Sequence, residues 1–137
     1  MFLATDAQSR ERTMGSYMLT ACDRTQHELI EFAQFHGRSH FLLNLAMTYD
    51  AYAAEVLNQY IFNTYAPSNV SEMRNLIYDK NFVEICSNMT TEQRTNLTLK
   101  WAKDTAFILL TIDAISEKYI FPSILQVNLT ILPFCNY

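Results

Sequence analysis

The chain has 137 residues, of which 50% are hydrophobic and 18% charged, and its formal net charge is −4. That length suits one domain with a sizeable core, the composition excludes a disordered chain, and the acidic balance argues against nucleic-acid binding, which needs clustered Lys and Arg. Only 2 Gly and 3 Pro occur, too few for the many turns of a β-sandwich or barrel, so long helices are favoured.

The first helices follow an N-terminal segment, residues 1–22, whose structure the sequence leaves open. Thr25-Gln-His-Glu28 matches a capping box, in which a Thr hydroxyl and a Glu carboxylate each accept a free backbone N–H. Because Gly37 is a typical helix stop, we predict a first helix over 25–36. A second helix, from Ser39 to Tyr65, has apolar residues three and four apart.

The later helices lead to the most apolar part of the chain. We predict a weaker helix from Ser68 or Asn69 and a short turn at 82–85. Thr90 or the next Thr begins the main segment, in which Ala106–Ile115 is apolar almost all round. Since a helix without a polar face is buried on every side, we expect Lys100–Ser116 to be a central helix. A last helix is predicted over 121–132.

Patterns typical of enzymes and metal sites do not occur in the sequence. His36 and His40 have the spacing of two ligands on one helix face, but Gly37 separates them and no Cys or third His is near. No Ser or Cys has the context of a nucleophile, and two isolated Gly cannot form a phosphate-binding loop. We therefore predict a protein that is not an enzyme and holds no metal or cofactor.

Cysteine usage and the N-terminus favour an intracellular protein. Cys22, Cys86 and Cys135 are odd in number and far apart, which favours reduced thiols. The N-glycosylation acceptor pattern occurs at Asn69, Asn88, Asn96 and Asn128. Because residues 1–20 lack a signal peptide's basic start and apolar run, we interpret these matches as accidental. Two Pro and two polar residues interrupt 119–134, so no stable membrane anchor is expected.

One segment carries a family resemblance. Lys100-Trp-Ala-Lys-Asp-Thr-Ala-Phe107 resembles the BH1 motif of the Bcl-2 family, which usually reads Asn-Trp-Gly-Arg, two residues and Ala-Phe. Trp101, Ala106 and Phe107 match this motif. Lys103 replaces the family's Arg, while Lys100 and Ala102 replace its Asn and Gly.

Two upstream segments extend the resemblance over most of 25–120. Leu45-Ala-Met-Thr-Tyr-Asp50 is similar to the family's internal BH3 segment, with Tyr49 at the usual Gly position, and Glu28-Leu-Ile-Glu-Phe32 is similar to its first helix. Asp50 otherwise fits a charge at the edge of an apolar stripe. The chain departs from the family in lacking a BH2 signature and a long loop after the first helix.

The resemblance implies an all-α fold, a Bcl-2-like helical bundle around a buried central hydrophobic helix, as a single domain over 1–137. The chain is most similar to a divergent viral pro-survival member, such as those of iridoviruses or poxviruses. The implied function is inhibition of apoptosis in the host cytoplasm, near mitochondria through partners. The implied partners are BH3 helices of pro-apoptotic proteins, Bim-like and Bak- or Bax-like, sequestered in a hydrophobic groove.

The resemblance also implies the residues of that groove. Its wall would be Tyr52, Val56 and Tyr60, and its floor Ala102, Thr105, Ala106 and Leu110. Lys103 would pair with the ligand's Asp, Lys100 would border the groove, and Trp101 and Phe107 would form the motif core. Val56 and Leu110 fit a purely structural role equally well.

Two other functions stay open on sequence grounds. The first is a Bcl-2-like viral adaptor that blocks innate immune signalling, with Tyr49 filling the groove or forming a dimer contact. The second is an unrelated helical structural protein. Exposed Tyr and Phe residues are also compatible with a homodimer.

Overall fold

The computed structural model describes the backbone of residues 2–135 and the side chains of residues 3–115. Within that range every regular element is helical, which confirms the all-α class. The α-helices are α1 (Phe2–Ala21), α2 (Gln26–Tyr49), α3 (Ala51–Leu57), α4 (Ala66–Tyr78), α5 (Phe82–Ser87) and α6 (Thr91–Cys135). A π-helical turn, Asn58–Phe62, continues α3. No helix of the described residues is long and apolar enough to cross a membrane.

Helix α1 occupies the segment that the sequence left open, and it packs against both α2 and α6. Its inward residues recur three and four apart, the spacing of one helix face, and Ala4, Ala7 and Met18 are fully buried. Glu11 and Gly15 belong to the same buried face. Because polar residues and a Gly interrupt the stripe, hydrophobic periodicity does not reveal it.

The predicted boundary at Gly37 is wrong, since α2 runs through it to Tyr49. A Gly inside a helix costs only about 1 kcal/mol relative to Ala, which the packing of a long helix outweighs. The start of α2 is as predicted: the Glu28 N–H donates to Thr25 Oγ1, and the Thr25 N–H donates to Glu28 Oε1, both at 3.0 Å. The two helices predicted over 25–36 and from Ser39 to Tyr65 are therefore joined in α2. This helix begins at the predicted capping box but ends at Tyr49, before the predicted end.

Asp50 causes that early end. Its backbone is extended, with φ −134° and ψ 105°, and its Oδ1 accepts the N–H groups of Tyr52 at 3.0 Å and Ala53 at 3.3 Å. These two donors have no partner inside the first turn of α3, so the carboxylate stabilises a new helix start. Asp50 is thus an N-cap rather than a charge at the edge of a stripe.

Helix α6 was predicted to be a central helix buried on every side, and its described side chains are buried on one side only. It contacts α1, α3 and α4 through one side, where Trp101, Ile108 and Ile112 are buried. On the opposite side Leu110 is 67% exposed. The helices of the described chain cover only one side of α6, so an apolar sequence there does not mean burial all round. The separate helix predicted over 121–132 is instead part of continuous α6.

Cys22 and Cys86 form a disulfide, which corrects the expectation of reduced thiols for this pair. Their sulfur atoms are 1.99 Å apart, and the bond joins the end of α1 to α5. The two residues are 64 positions apart in the chain, so sequence spacing gave no sign that α1 returns to α5. The side chain of Cys135 lies outside the described residues.

A buried ion pair connects α1 to α4. Glu11 is 1% exposed, and Arg74 donates to its Oε1 from Nε at 2.8 Å and from Nη2 at 2.6 Å. His36 Nδ1 of α2 lies 3.8 Å from the other oxygen, Oε2. Burial raises the pKa of the neighbouring Tyr78 hydroxyl; the charge of Glu11 adds to the rise and that of Arg74 opposes it. The sequence, with its acidic residues spread singly, did not predict this pair.

Candidate functional site

The exposed side of α6 is the part of the predicted groove that is available to a partner. We call its residues, Leu99, Lys103, Ala106, Phe107 and Leu110, the α6 outer face. At about 100° per residue all but Phe107 fall within roughly 60° of one another, and Phe107 borders them. Leu99 is 62% exposed, Leu110 67% and Phe107 39%. Three large apolar side chains on one helix face form a patch of the kind that marks interaction sites.

Lys103 lies in the middle of this face, one turn after Leu99 and two before Leu110. Its side chain is exposed, and among the described side chains no carboxylate pairs with it. Lys100, one turn earlier, is also exposed. The outer face therefore combines apolar side chains with an unpaired positive charge.

A pocket of about 360 Å³ lies beside Lys100, at the N-terminal border of the outer face. Its other lining residues come from the first turns of α6 and the segment before it: Met89, Gln93, Asn96 and Leu97. Of the predicted groove residues, only Lys100 belongs to this lining.

The BH1-like motif divides between the core and this face. Trp101 is fully buried, its ring centroid lies 6.1 Å from that of Phe32, and its Nε1 donates to the Arg12 carbonyl at 3.0 Å. Thr105 is 1% exposed, and its hydroxyl donates to the Trp101 carbonyl. Ala102 is half-buried on the side that faces α1, where its carbonyl accepts from Arg12. Thr105 therefore lies in the core rather than on a groove floor.

The predicted wall residues lie on α3 and the π-helical turn. Tyr52 and Val56 are half-buried, and Val56 packs against the core; Tyr60 is 52% exposed. Helix α3 contacts α6 and buries Ala53 and Leu57 completely. The predicted wall and floor residues thus belong to neighbouring helices, but some residues of each group lie in or against the core, such as Val56 and Thr105.

A second exposed apolar surface, which sequence reasoning did not single out as a surface, lies on α2. We call Phe41, Leu45 and Tyr49, spaced four residues apart on one side, the α2 face. They are 63%, 43% and 83% exposed. Tyr49 therefore does not fill a groove of this chain. The repeat of apolar residues was visible in the sequence, but it did not show which side faces solvent.

A small cavity of about 100 Å³ lies among α1, α2, α4, α6 and the π-helical turn. Its polar lining includes Gln8, His36 and Ser39, and the Ser39 hydroxyl donates to Gln8 Oε1 at 2.8 Å. The His36 and His40 rings are 6.1 Å apart, and no group of metal-ligating side chains occurs among the described residues. This cavity is smaller than one that holds benzene, roughly 150 Å³.

The chain was compared with models of known families, with curated proteins and with solved structures, and none of these matches it. The likeness to the Bcl-2 family therefore rests on the motif residues themselves, chiefly 100–107 and 45–50. What the structure adds is the all-helical fold and the exposure of each motif side chain.

Proposed function

We propose that this chain binds an amphipathic helix of a partner protein along the α6 outer face, with the BH3 helices of pro-apoptotic proteins as its ligands. Sequestering such helices would inhibit apoptosis. The observation that supports this most directly is that Lys103, which pairs with no carboxylate among the described side chains, lies between the exposed Leu99 and Leu110. An amphipathic helix offers apolar anchors at i, i+3 or i+4 and i+7, and an acidic residue among them would meet the Lys.

The apolar side chains supply most of the affinity in this proposal. Burying a Leu or Phe side chain fully contributes about 1.5–3 kcal/mol, and Leu99 and Leu110 have most of their surface still to bury. An ion pair at an exposed site contributes only about 0.2–1 kcal/mol, so Lys103 mainly orients the ligand and selects acidic partners. Lys lacks the two-pronged geometry of the family's Arg, which makes its contact weaker and less directional.

The test is a titration of the chain against a panel of fluorescent BH3 peptides. We expect submicromolar binding of at least one peptide, and a loss of at least about tenfold in Lys103→Glu, because the new charge repels the ligand's acid. Lys80→Glu is the matched control: Lys80 is also exposed, and the change in net charge is the same. Circular dichroism should show equal helicity for both variants.

Two results would contradict the proposal. One is the absence of submicromolar binding across the panel. The other is equal peptide affinity of Lys103→Glu and Lys80→Glu, which would mean that ligands bind elsewhere. A third variant, Leu110→Glu, extends the test because it places a charge in the apolar part of the same face and should also weaken binding by at least about tenfold.

The α2 face supports a second candidate, a Bcl-2-like adaptor that blocks innate immune signalling through a helix surface. Tyr49, 83% exposed at the end of α2, is its strongest support. Leu45→Glu should then remove inhibition in a signalling reporter assay and leave BH3-peptide binding unchanged, whereas Lys103→Glu should do the reverse. Sedimentation of both variants tests whether the α2 face instead joins two copies.

A further inference from the structure

The proposed function leaves unused two features that involve α5 and the first turns of α6. The first is the disulfide between Cys22 and Cys86. The second is a pair of N-glycosylation acceptor sequences, Asn88-Met-Thr90 and Asn96-Leu-Thr98, which lie after Cys86 in the chain. Structural disulfides persist in oxidising compartments and are rare in the cytosol, and N-glycans are attached in the same secretory route. The two features therefore point to one environment.

Asn88 lies at the end of α5 with an exposed side chain. Its backbone is held in place, since its N–H donates to the Glu84 carbonyl at 3.1 Å, while its side-chain amide has no partner among the described residues. Thr90 is also exposed, and its Oγ1 accepts the Gln93 N–H at 3.1 Å. A glycan on Asn88 would displace no packed side chain.

Asn96 is exposed on α6, and Thr98 donates its hydroxyl to the Arg94 carbonyl at 2.9 Å. Asn96 precedes Lys103 by two helical turns and projects to the same side, about 10 Å along the axis. By contrast, Asn69 is half-buried, and the side chain of Asn128 lies outside the described residues.

We propose that Asn88 and Asn96 carry N-linked glycans, attached in the oxidising compartment where the Cys22–Cys86 bond forms. The donor is an oligosaccharide on a polyprenyl diphosphate: a bond forms between sugar C1 and the Asn Nδ2, the bond from C1 to the diphosphate breaks, and Nδ2 loses a proton. The two thiols lose two electrons and two protons to a disulfide oxidant, which becomes a dithiol.

This inference does not depend on the proposed function and conflicts with its cytosolic BH3 ligands: glycans on Asn88 and Asn96 would mean that the α6 outer face binds a helix of a protein in the secretory route instead. A glycan on Asn96 would stand at the N-terminal border of the α6 outer face, so a docking helix would bury Phe107 and Leu110 and would lose the contact with Leu99. The protein that supplies the docking helix would have to meet the chain in the same compartment or after leaving it.

The experiment produces the chain in insect cells from its complete natural coding sequence, with no added leader. Proteins are alkylated at lysis and analysed by mass spectrometry before and after peptide N-glycosidase F, which converts each glycosylated Asn to Asp. We expect this conversion at Asn88 and Asn96, together with unalkylated Cys22 and Cys86. Asn88→Gln and Asn96→Gln should each remove one step of the gel shift, whereas Asn75→Gln, an exposed Asn outside any acceptor sequence, should keep both.

A second arm adds a cleavable secretion leader and compares thermal melting of the glycosylated and enzymatically deglycosylated proteins. Equal melting of two disulfide-bonded forms supports the proposal, because it shows that the folded chain accommodates both glycans. Absence of glycans in the first arm, free thiols at Cys22 and Cys86, or a glycosylated form that fails to fold would each overturn it. Peptide binding by the deglycosylated protein is measured separately, so failure of either proposal is recognised on its own.

Discussion

The two glycines of the chain offer a paired test of how α1 packs on α6. Both lie inside helices, where replacing Gly by Ala stabilises by about 1 kcal/mol. At Gly37 an added Cβ meets nothing within 4 Å, so Gly37→Ala should raise the free energy of unfolding by about that amount. At Gly15 the added atom would overlap the ring of Trp101, reaching Cε2 at 2.5 Å and Nε1 at 2.9 Å.

The Trp101 ring cannot move aside without loss. It is fully buried beside Phe32, and its Nε1 donates to the Arg12 carbonyl at 3.0 Å. Overpacking of a core costs about 1–3 kcal/mol and a lost hydrogen bond about 1 kcal/mol. Even after the helix gain, Gly15→Ala should lower the free energy of unfolding by about 2 kcal/mol.

Urea unfolding followed by far-ultraviolet circular dichroism measures both variants. The chain has a single Trp, so its fluorescence reports on this contact directly. For a domain of this size the expected changes in melting temperature are about +4 °C for Gly37→Ala and about −8 °C for Gly15→Ala. If Gly15→Ala were as stable as Gly37→Ala, with unchanged Trp emission, the described packing of α1 against Trp101 would be refuted.

Three further predictions concern the links between helices. Replacing Cys22 and Cys86 by Ser should lower the free energy of unfolding by about 4 kcal/mol, because the bond closes a loop across a separation of 64 residues; urea midpoints measure this, and a loss below about 1 kcal/mol would contradict it. Arg74→Met should cost about 3–5 kcal/mol by leaving the Glu11 carboxylate buried without its cation. The double variant with Glu11→Leu should regain most of that stability, and failure to do so would argue against the pair. Asp50→Ala should lower the free energy of unfolding by about 1 kcal/mol through loss of the α3 cap, and Asp50→Asn should lower it clearly less. Equal losses of stability for the two variants in thermal melts would refute the capping role.

The features predicted correctly from the sequence are local ones. Few Gly and Pro and a helical apolar spacing led to the all-helical class. Thr25 and Glu28 formed the expected capping box, and Thr90 caps the start of α6 through a reciprocal pair of hydrogen bonds with Gln93. Each of these signals acts within a few residues of the chain, so sequence neighbours are enough to show it.

The features that were missed depend on contacts between distant segments. Helix α1 was hidden because its buried side includes Glu11, whose cost is offset only by Arg74 of α4. The disulfide joins residues that no spacing rule connects. At the site, the motif fixed which residues lie on α6 but not which side faces solvent, so Thr105 proved buried and Leu110 exposed. Which side of α6 is buried depends on where α1 and α4 pack against it, and the sequence of α6 alone does not show this.

The packing of α1 on α6 also determines when the chain can complete its fold. The Trp101 Nε1 that bonds to the Arg12 carbonyl lies 89 residues further along the chain. During synthesis the first helix therefore emerges long before α6; α2 covers part of its buried side, and the part that packs on Trp101 remains exposed until α6 follows. Such long-range contacts slow folding compared with bundles of sequential helices. We expect the nascent chain to need protection from aggregation over that interval, so slower translation of α6 should lower the yield of native protein.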